Sequence, residues 1–92
     1  MNALLLTIVI PVYNVSQYVE KCVRSCYKHS VSSSKFEIII VNDGSTDDSL
    51  KICEKLKNEY SNLKIISQEN KGLSGARNTG LKQASGKYIW FV

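Results

Sequence analysis

The sequence predicts an α/β fold of three layers, in which helices cover both faces of a mostly parallel sheet of about four strands. Short apolar runs rich in Ile and Val alternate with longer segments of helical period, and such runs are typical of strands covered on both faces. The runs occupy residues 7–12, 36–41, 63–67 and 88–92. Crossovers between parallel strands are right-handed. Strands one to three can wind in one direction and the fourth can return beside the first, so we expect the strand order 3-2-1-4.

Length and composition allow at most one domain, of globular character, over residues 1–92. The chain is 43% hydrophobic and 22% charged, which suits a packed core and does not suit disorder. Its net charge of +4 is spread over scattered cations, a pattern that favours a phosphorylated small molecule or an anionic surface as partner. We find no recognised nucleic-acid motif and expect no nucleic-acid partner.

The apolar run at residues 4–10 is far shorter than the ~20 residues of a spanning helix, and Pro11 closes it. It also lacks the flanks of a signal peptide. We therefore expect no transmembrane segment in this portion. The expected location is the cytoplasm, and the alternative is a peripheral position at the inner face of the membrane.

The first helix is expected to begin near Ser16, a favourable N-cap residue. Cysteines on this helix and the next fit no metal spacing. Cys22 and Cys26 could form a redox pair, but we favour two small buried side chains. His29, near the end of the helix, is expected at the surface beside the helix dipole and not as a catalyst. The expected buried stripe is Val19, Cys22, Val23, Cys26 and Tyr27.

The second helix is expected to follow Ser45 and Thr46, with the carboxylates of Asp47 and Asp48 in its first turn. It should end at residues 61–62. The residues expected to face the core are Ile52, Cys53, Leu56 and Tyr60.

The third helix is expected from about Leu73 to Ala84, with Gly86 as its terminator. Small residues recur at every fourth position, at Ala76, Gly80 and Ala84. A glycine inside a helix destabilises it by roughly 1 kcal/mol relative to alanine. We therefore expect this groove to allow close approach to the sheet or to a neighbouring helix.

Candidate site residues follow the strands, because ligands of open α/β sheets bind at the carboxyl ends of the strands. Tyr13 and Asn14 could contact a base, or could form only a strand exit and an Asx turn after Pro11. Asp43 could accept a hydrogen bond from a base imide or a ribose hydroxyl, or could only organise its turn. Gly44 permits a tight turn or a positive φ.

The segment after the third strand, residues 68–80, is rich in glycine and leads into a helix. Glycines such as Gly72 allow a ligand to approach closely, and a helix N-terminus favours anions. Lys71 and Arg77 add positive charge. The segment is neither the Gly-x-Gly-x-x-Gly of dinucleotide folds nor a Walker A loop.

Three blocks, residues 7–14, 39–47 and 70–80, closely resemble the start of the family 2 glycosyltransferases. Their order and spacing match over nearly the whole chain. The resemblance implies a Rossmann-like GT-A-type domain and an inverting transfer from a nucleotide-diphospho-sugar, with a UDP-sugar expected, in cell-surface polysaccharide or glycan synthesis. It places Tyr13 and Asp43 around the base, with Arg77 near the base or the diphosphate.

The same resemblance implies Mn²⁺ or Mg²⁺, held by an Asp-x-Asp-type motif directly after the fourth strand. The sequence ends at Val92, before such a motif. We therefore expect residues 1–92 to be the nucleotide-binding half of a glycosyltransferase domain. We expect no catalytic residue or metal ligand in this portion, and no activity from it alone.

Two other functions keep an α/β fold. A nucleotidyltransferase would need a Gly-rich, basic loop after the first strand, and residues 12–16 contain none. The other is a non-catalytic nucleotide-binding or interaction module, such as a receiver-like domain. A receiver would need acidic residues after the first strand and an Asp after the third, where Gln68 and Glu69 stand instead.

The fourth strand, from Tyr88 to Val92, contains five apolar residues and no charge. We expect it to be buried inside a complete sheet. In this chain one of its edges would have no partner, and unpaired apolar edges pair readily with other chains. Self-association through residues 88–92 is therefore expected.

Overall fold

The computed structural model describes residues 4–29 and 31–92, in which strands and helices alternate along the chain. The sheet has four parallel strands in the order β3-β2-β1-β4, which confirms the predicted fold class and strand order. The strands are β1 (Leu6–Val12), β2 (Phe36–Asp43), β3 (Leu63–Gln68) and β4 (Tyr88–Phe91), and the helices are α1 (Val19–Ser25), α2 (Ser49–Glu59) and α3 (Gly72–Gln83).

Successive side chains of the central strands lie on opposite faces of the sheet, as the period of two in a strand requires. Ile8 of β1 and Ile38 of β2 are register partners, and both lie in the core beneath α1 and α2. Val9 and Ile39, one residue further along, form a second cluster with Ala76 of α3. The three-layer arrangement follows from this alternation.

Helix α1 begins at Val19, so the prediction of a start at Ser16 is wrong. The amide of Ser16 donates to Asp47 Oδ2 at 3.2 Å, in the loop after β2. That bond holds Ser16 in a turn ahead of the helix. The predicted buried stripe is confirmed, since all of its residues belong to or pack against the larger core cluster. Cys26 is a free thiol buried in this cluster, as the favoured interpretation predicts, whereas Cys22 is a free thiol that is only partly buried and packs against it.

Helix α2 begins at Ser49, so Asp47 and Asp48 precede the helix and do not lie in its first turn. Asp47 Oδ1 accepts from the Ser49 amide at 2.9 Å. Hydrogen bonds from Ser49, and a further one from Ser16, lower the pKa of Asp47 to about 2. Asp47 thus joins the two loops that follow β1 and β2. The predicted inward face is confirmed, with Cys53 and Leu56 buried in the core.

Helix α3 ends at Gln83, and Gly86 is not its terminator. The residue after the helix, Ala84, is already extended. Gly86 instead lies against β1, where its amide donates to Thr7 Oγ1 at 2.8 Å. A Cβ at Gly86 would lie 2.5 Å from the Thr7 nitrogen, so the close approach excludes a side chain.

His29 is half-buried, which corrects the expectation of a surface residue. Its ring lies edge-on to Phe36, with 4.6 Å between the ring centroids. Its Nδ1 accepts a hydrogen bond from the Val31 amide at 3.2 Å. The residue therefore packs against the amino end of β2.

Strand β4 pairs with β1 from Leu6↔Tyr88 to Val9↔Phe91. In the described part of the chain no strand pairs with its other edge. Trp90 is 53% exposed, whereas Ile89 packs against the cluster beneath α3. Strand β4 is therefore an edge strand of the described sheet that is covered on one face, and it is not fully buried. No helix of residues 4–29 and 31–92 has the length and apolar character needed to cross a bilayer.

Candidate functional site

A cavity of about 420 Å³ opens at the carboxyl ends of β1 and β2, beside the start of α3. This volume lies within the range of roughly 300–1,000 Å³ that is common for small-molecule sites. Its walls are mostly apolar, with one carboxylate among them. The lining residues are Pro11, Val12, Tyr13, Val15, Asp43, Asn70, Gly72, Leu73 and Ala76.

The exit of β1 supplies one wall of the cavity through Pro11 and Tyr13. Tyr13 is 50% exposed, so its ring is accessible to a planar ligand. Asn14 has a φ of 50° and does not line the cavity. The side-chain Oδ1 of Asn14 accepts from the Thr46 backbone amide at 2.8 Å, and the backbone amide of Asn14 donates to Ser45 Oγ at 3.1 Å. Asn14 therefore fixes the β1 exit to the loop after β2.

Asp43 is the last residue of β2, which runs two residues beyond the predicted strand end. It is 3% exposed and lines the cavity. Its Oδ1 accepts from Gln68 Nε2 at 2.9 Å and from the Lys71 amide at 2.8 Å. Because both donors reach the same oxygen, Oδ2 remains the acceptor that a ligand could use.

Burial by itself raises the pKa of Asp43, because a charged carboxylate loses solvation. Hydrogen bonds from Gln68 and from the Lys71 amide outweigh this effect, and the positive charge of Lys71 adds to them. The net result is a pKa below the ordinary value. Asp43 is therefore a carboxylate at neutral pH, and it accepts hydrogen bonds without donating any.

Two glycines shape the loops around Asp43. Gly44 has a φ of 75°, as the sequence allowed, and a Cβ there would lie 2.9 Å from the Asn70 nitrogen. Gly72 has a φ of 78° and lines the cavity, with open space where a side chain would stand. Lys71 contributes its amide to Asp43, and its side chain is not among the lining groups.

Arg77 lies on the side of α3 towards β4. Its guanidinium carbon is 6.0 Å from the centre of the Phe91 ring, within the range of a cation–π contact. The side chain is exposed and does not line the cavity. Of the eight candidate residues, the cavity thus brings together four, namely Pro11, Tyr13, Asp43 and Gly72.

Several residues of the site were not among the sequence candidates. Leu73 is 57% exposed at the mouth of the cavity, and no periodicity distinguishes such a residue from an ordinary surface leucine. Gln68 lies behind Asp43, and the parallel register pairs these two residues directly. The sequence alone carried no signal for this pairing, because it depends on the register between β2 and β3. The other missed lining residues are Val12, Val15, Asn70 and Ala76.

The residues that the structure describes do not fit the Mn²⁺ or Mg²⁺ site that the resemblance implies. Among residues 4–29 and 31–92, no three His, Cys, Asp or Glu side chains come together as a possible metal site. Asp43 stands alone in the cavity wall, with one oxygen already occupied by two donors.

Comparison with known proteins gives a consistent result over this whole region. The model of the family described as glycosyl transferase family 2 matches residues 7–92. Glycosyltransferase GlyA of Streptococcus pneumoniae is 46% identical over 95% of this chain, and the minor teichoic acid biosynthesis protein GgaA of Bacillus subtilis is 41% identical over 94% of it. The S. aureus TarS 1–349 structure in complex with UDP-GlcNAc superposes with a TM-score of 0.88 and 35% identity over 97% of this chain.

These similar proteins are much longer than the present sequence. The chain spans 12% of GlyA, 20% of GgaA and 26% of the TarS chain. The family match over residues 7–92 includes all three sequence blocks, residues 7–14, 39–47 and 70–80.

Proposed function

Because the chain belongs to glycosyl transferase family 2, we propose that it forms the nucleotide-binding half of an inverting glycosyltransferase domain that uses a UDP-sugar. The observation that carries this proposal is the ionised Asp43 in the wall of an otherwise apolar cavity. A uracil base has a planar ring and an imide N–H. The ring suits the apolar walls, and the N–H can donate to Asp43 Oδ2.

The cavity also suits the rest of a nucleoside. Tyr13 and Leu73 are both exposed at its mouth, where they can contact the two sides of a base. Gly72 leaves open space beside the start of α3, so a ligand can approach the backbone there. The complex of TarS with UDP-GlcNAc supports the same class of donor. We further propose that Lys71 and Arg77 lie near the base or the diphosphate.

Replacement of Asp43 by alanine is expected to weaken UDP binding by about 1–3 kcal/mol, because the imide loses a charged acceptor in a buried position. Isothermal titration calorimetry of UDP measures this loss. CDP is the matched ligand, since its base has no imide N–H. Wild-type protein should prefer UDP to CDP, and Asp43→Ala should lose most of that preference.

A control variant is Asp48→Ala, which removes an exposed carboxylate that makes no capping bond to α2. It should bind UDP like the wild type. Unchanged UDP affinity in a folded Asp43→Ala protein would contradict the assignment of Asp43 to the base.

We propose that the sugar is added to a polysaccharide or another glycan, in the cytoplasm or at the inner face of the membrane. The teichoic acid assignment of GgaA supports a glycan product. Three free cysteines agree with a reducing compartment. A radiolabelled-sugar incorporation assay with cell extracts of the source organism, with and without the gene, would test the product class.

We expect residues 1–92 to bind the nucleotide without transferring sugar. The chain spans 12–26% of GlyA, GgaA and TarS, and a transferase must stabilise its leaving diphosphate and deprotonate its acceptor. The Mn²⁺ or Mg²⁺ expected for the parent protein is proposed to be held by residues beyond Val92. Metal-dependent turnover of UDP-sugars by purified 1–92, measured as UDP release, would contradict this expectation.

Self-association through β4 is also proposed, with a second copy of the chain as the partner. Trp90 is 53% and Tyr88 58% exposed on this edge strand, and exposed apolar edges favour strand pairing between chains. Sedimentation velocity at micromolar concentration should show a dimer or larger species. Trp90→Lys should shift the protein to a monomer, and a monomeric wild type would refute the proposal.

A further inference from the structure

A chain of hydrogen bonds connects α3 to the carboxylate in the cavity wall. Thr79 Oγ1 lies 2.6 Å from Gln68 Oε1, and Gln68 Nε2 lies 2.9 Å from Asp43 Oδ1. Thr79 and Gln68 do not line the cavity. They are polar side chains placed directly behind the group that a nucleotide would touch.

The carboxylate of Asp43 sets the orientation of the Gln68 amide, because an ionised carboxylate only accepts and the amide N–H₂ must face it. The carbonyl oxygen of Gln68 then faces the Thr79 hydroxyl, which lies 2.6 Å from it and 3.0 Å from the Gly75 carbonyl oxygen. The reverse orientation would place the carbonyl oxygen of Gln68 against a carboxylate. That arrangement would be repulsive and would leave a buried charge without one of its donors.

We propose that Gln68, held by Thr79, is a positioning residue that fixes the Asp43 carboxylate and turns its second oxygen towards the bound nucleotide. This inference rests on the proposed function, because it concerns the same carboxylate. It extends the site from the cavity wall to the middle of α3. Thr79 lies one residue before Gly80, where α3 contacts the central strand β1.

The effect of Gln68 is a matter of protonation as well as geometry. Burial raises the pKa of Asp43, and the Gln68 hydrogen bond is the largest of the interactions that lower it. Lys71 supplies the nearby positive charge, and the Tyr13 phenol is the other titratable group lining the cavity. The facing residues of α3, Leu73 and Ala76, carry no charge.

Without the Gln68 donor, Asp43 would take up a proton at higher pH than in the wild type. A protonated carboxyl has lost its charge and is a weaker acceptor for the imide N–H, and a proton on Oδ2 would block that oxygen. UDP affinity of Gln68→Met should then begin to fall at a higher pH than that of the wild type as the pH is lowered from neutral into the acid range.

The test uses Gln68→Met, which keeps the length of the side chain but removes its donor, with Thr79→Val and Thr79→Ser as a matched pair. UDP affinity is measured by calorimetry across this pH range. The Asp43 carboxyl is followed by ¹³C NMR in nucleotide-free protein. Gln68→Met should weaken UDP about tenfold at neutral pH and Thr79→Val about threefold, both with the pH dependence. Thr79→Ser, which keeps the hydroxyl, should match the wild type.

The outcomes separate this inference from the function on which it rests. Wild-type affinity and pH profile in Gln68→Met, combined with weak binding by Asp43→Ala, would overturn the positioning role alone. If Asp43→Ala binds UDP normally, the proposed function fails. The NMR titration then decides whether Gln68 controls Asp43. If Gln68→Met does not fold, equal affinity and pH profile in Thr79→Val and Thr79→Ser would overturn the inference.

Discussion

Replacing Gly80 with alanine is expected to lower the free energy of unfolding by about 1–3 kcal/mol, as overpacking of a core does. In an exposed helix the same change stabilises by roughly 1 kcal/mol. Gly80 is buried where α3 crosses β1, and an added Cβ would overlap the side chain of Val9. Val9 is fully buried on a central strand. It therefore has no free space into which it can move.

Urea denaturation of the wild type and Gly80→Ala measures this loss, with the slope of the transition as a check on two-state unfolding. The control is the same substitution in a Val9→Ala background, where the methyl groups that would clash are absent. There Gly80→Ala should be much less destabilising, so that the two changes are coupled. Additive effects, or stabilisation by Gly80→Ala alone, would show that the contact does not restrict this position.

The groove of small residues was predictable because alanine and glycine recur at every fourth position, and this spacing places them on one face of a helix. The sheet was predictable for a similar reason, since alternating apolar runs and helical segments permit few topologies. The starts of α1 and α2 were not. Their loops are fixed by bonds between Ser16 and Asp47 and between Asn14 and Thr46, and these pairs are 31 and 32 residues apart. Local capping rules do not include such partners.

The candidate site shows the same division. Asp43 was identified from its place at a strand end, and it lines the cavity. Its contact with a nucleotide stays a prediction. The role of Gln68 depends on the register between β2 and β3, which a single sequence does not specify. Arg77 was placed near the ligand by resemblance, yet its guanidinium lies over Phe91 at the end of β4. Its contact with a nucleotide stays a prediction.

At the amino ends of the strands, a buried carboxylate joins three strands and the segment after α3. Glu37 on β2 is 2% exposed. Its Oε2 accepts from Thr7 Oγ1 and from the Ser85 amide, both at 2.7 Å. Its Oε1 forms an ion pair with Lys64 Nζ at 3.0 Å. Because Lys64 is on β3 and Thr7 on β1, this single side chain connects both neighbours of its own strand.

Glu37→Gln is therefore expected to lower the free energy of unfolding at neutral pH by about 1.5–3 kcal/mol, the usual value of hydrogen bonds to a charged group. Glutamine has nearly the same shape, so the loss reports the charge and not a cavity. The matched control is Glu54→Gln, the same chemical change at an exposed position of α2. It should alter stability by no more than about 0.5 kcal/mol.

The destabilisation caused by Glu37→Gln should itself depend on pH. Burial raises the pKa of Glu37, but hydrogen bonds from Ser85 and Thr7 and the ion pair with Lys64 lower it below its ordinary value of 4.5. A carboxylate whose pKa is lowered in the folded state makes its full contribution to the stability of the fold at pH values above its pKa in the unfolded chain. It loses that contribution as the pH falls through its folded pKa. The difference between the wild type and Glu37→Gln should therefore be constant near neutral pH and shrink in acid. Urea denaturation from about pH 7 down to about pH 3 measures it, and a difference that persists unchanged through this range would mean that Glu37 does not stabilise the fold through its charge.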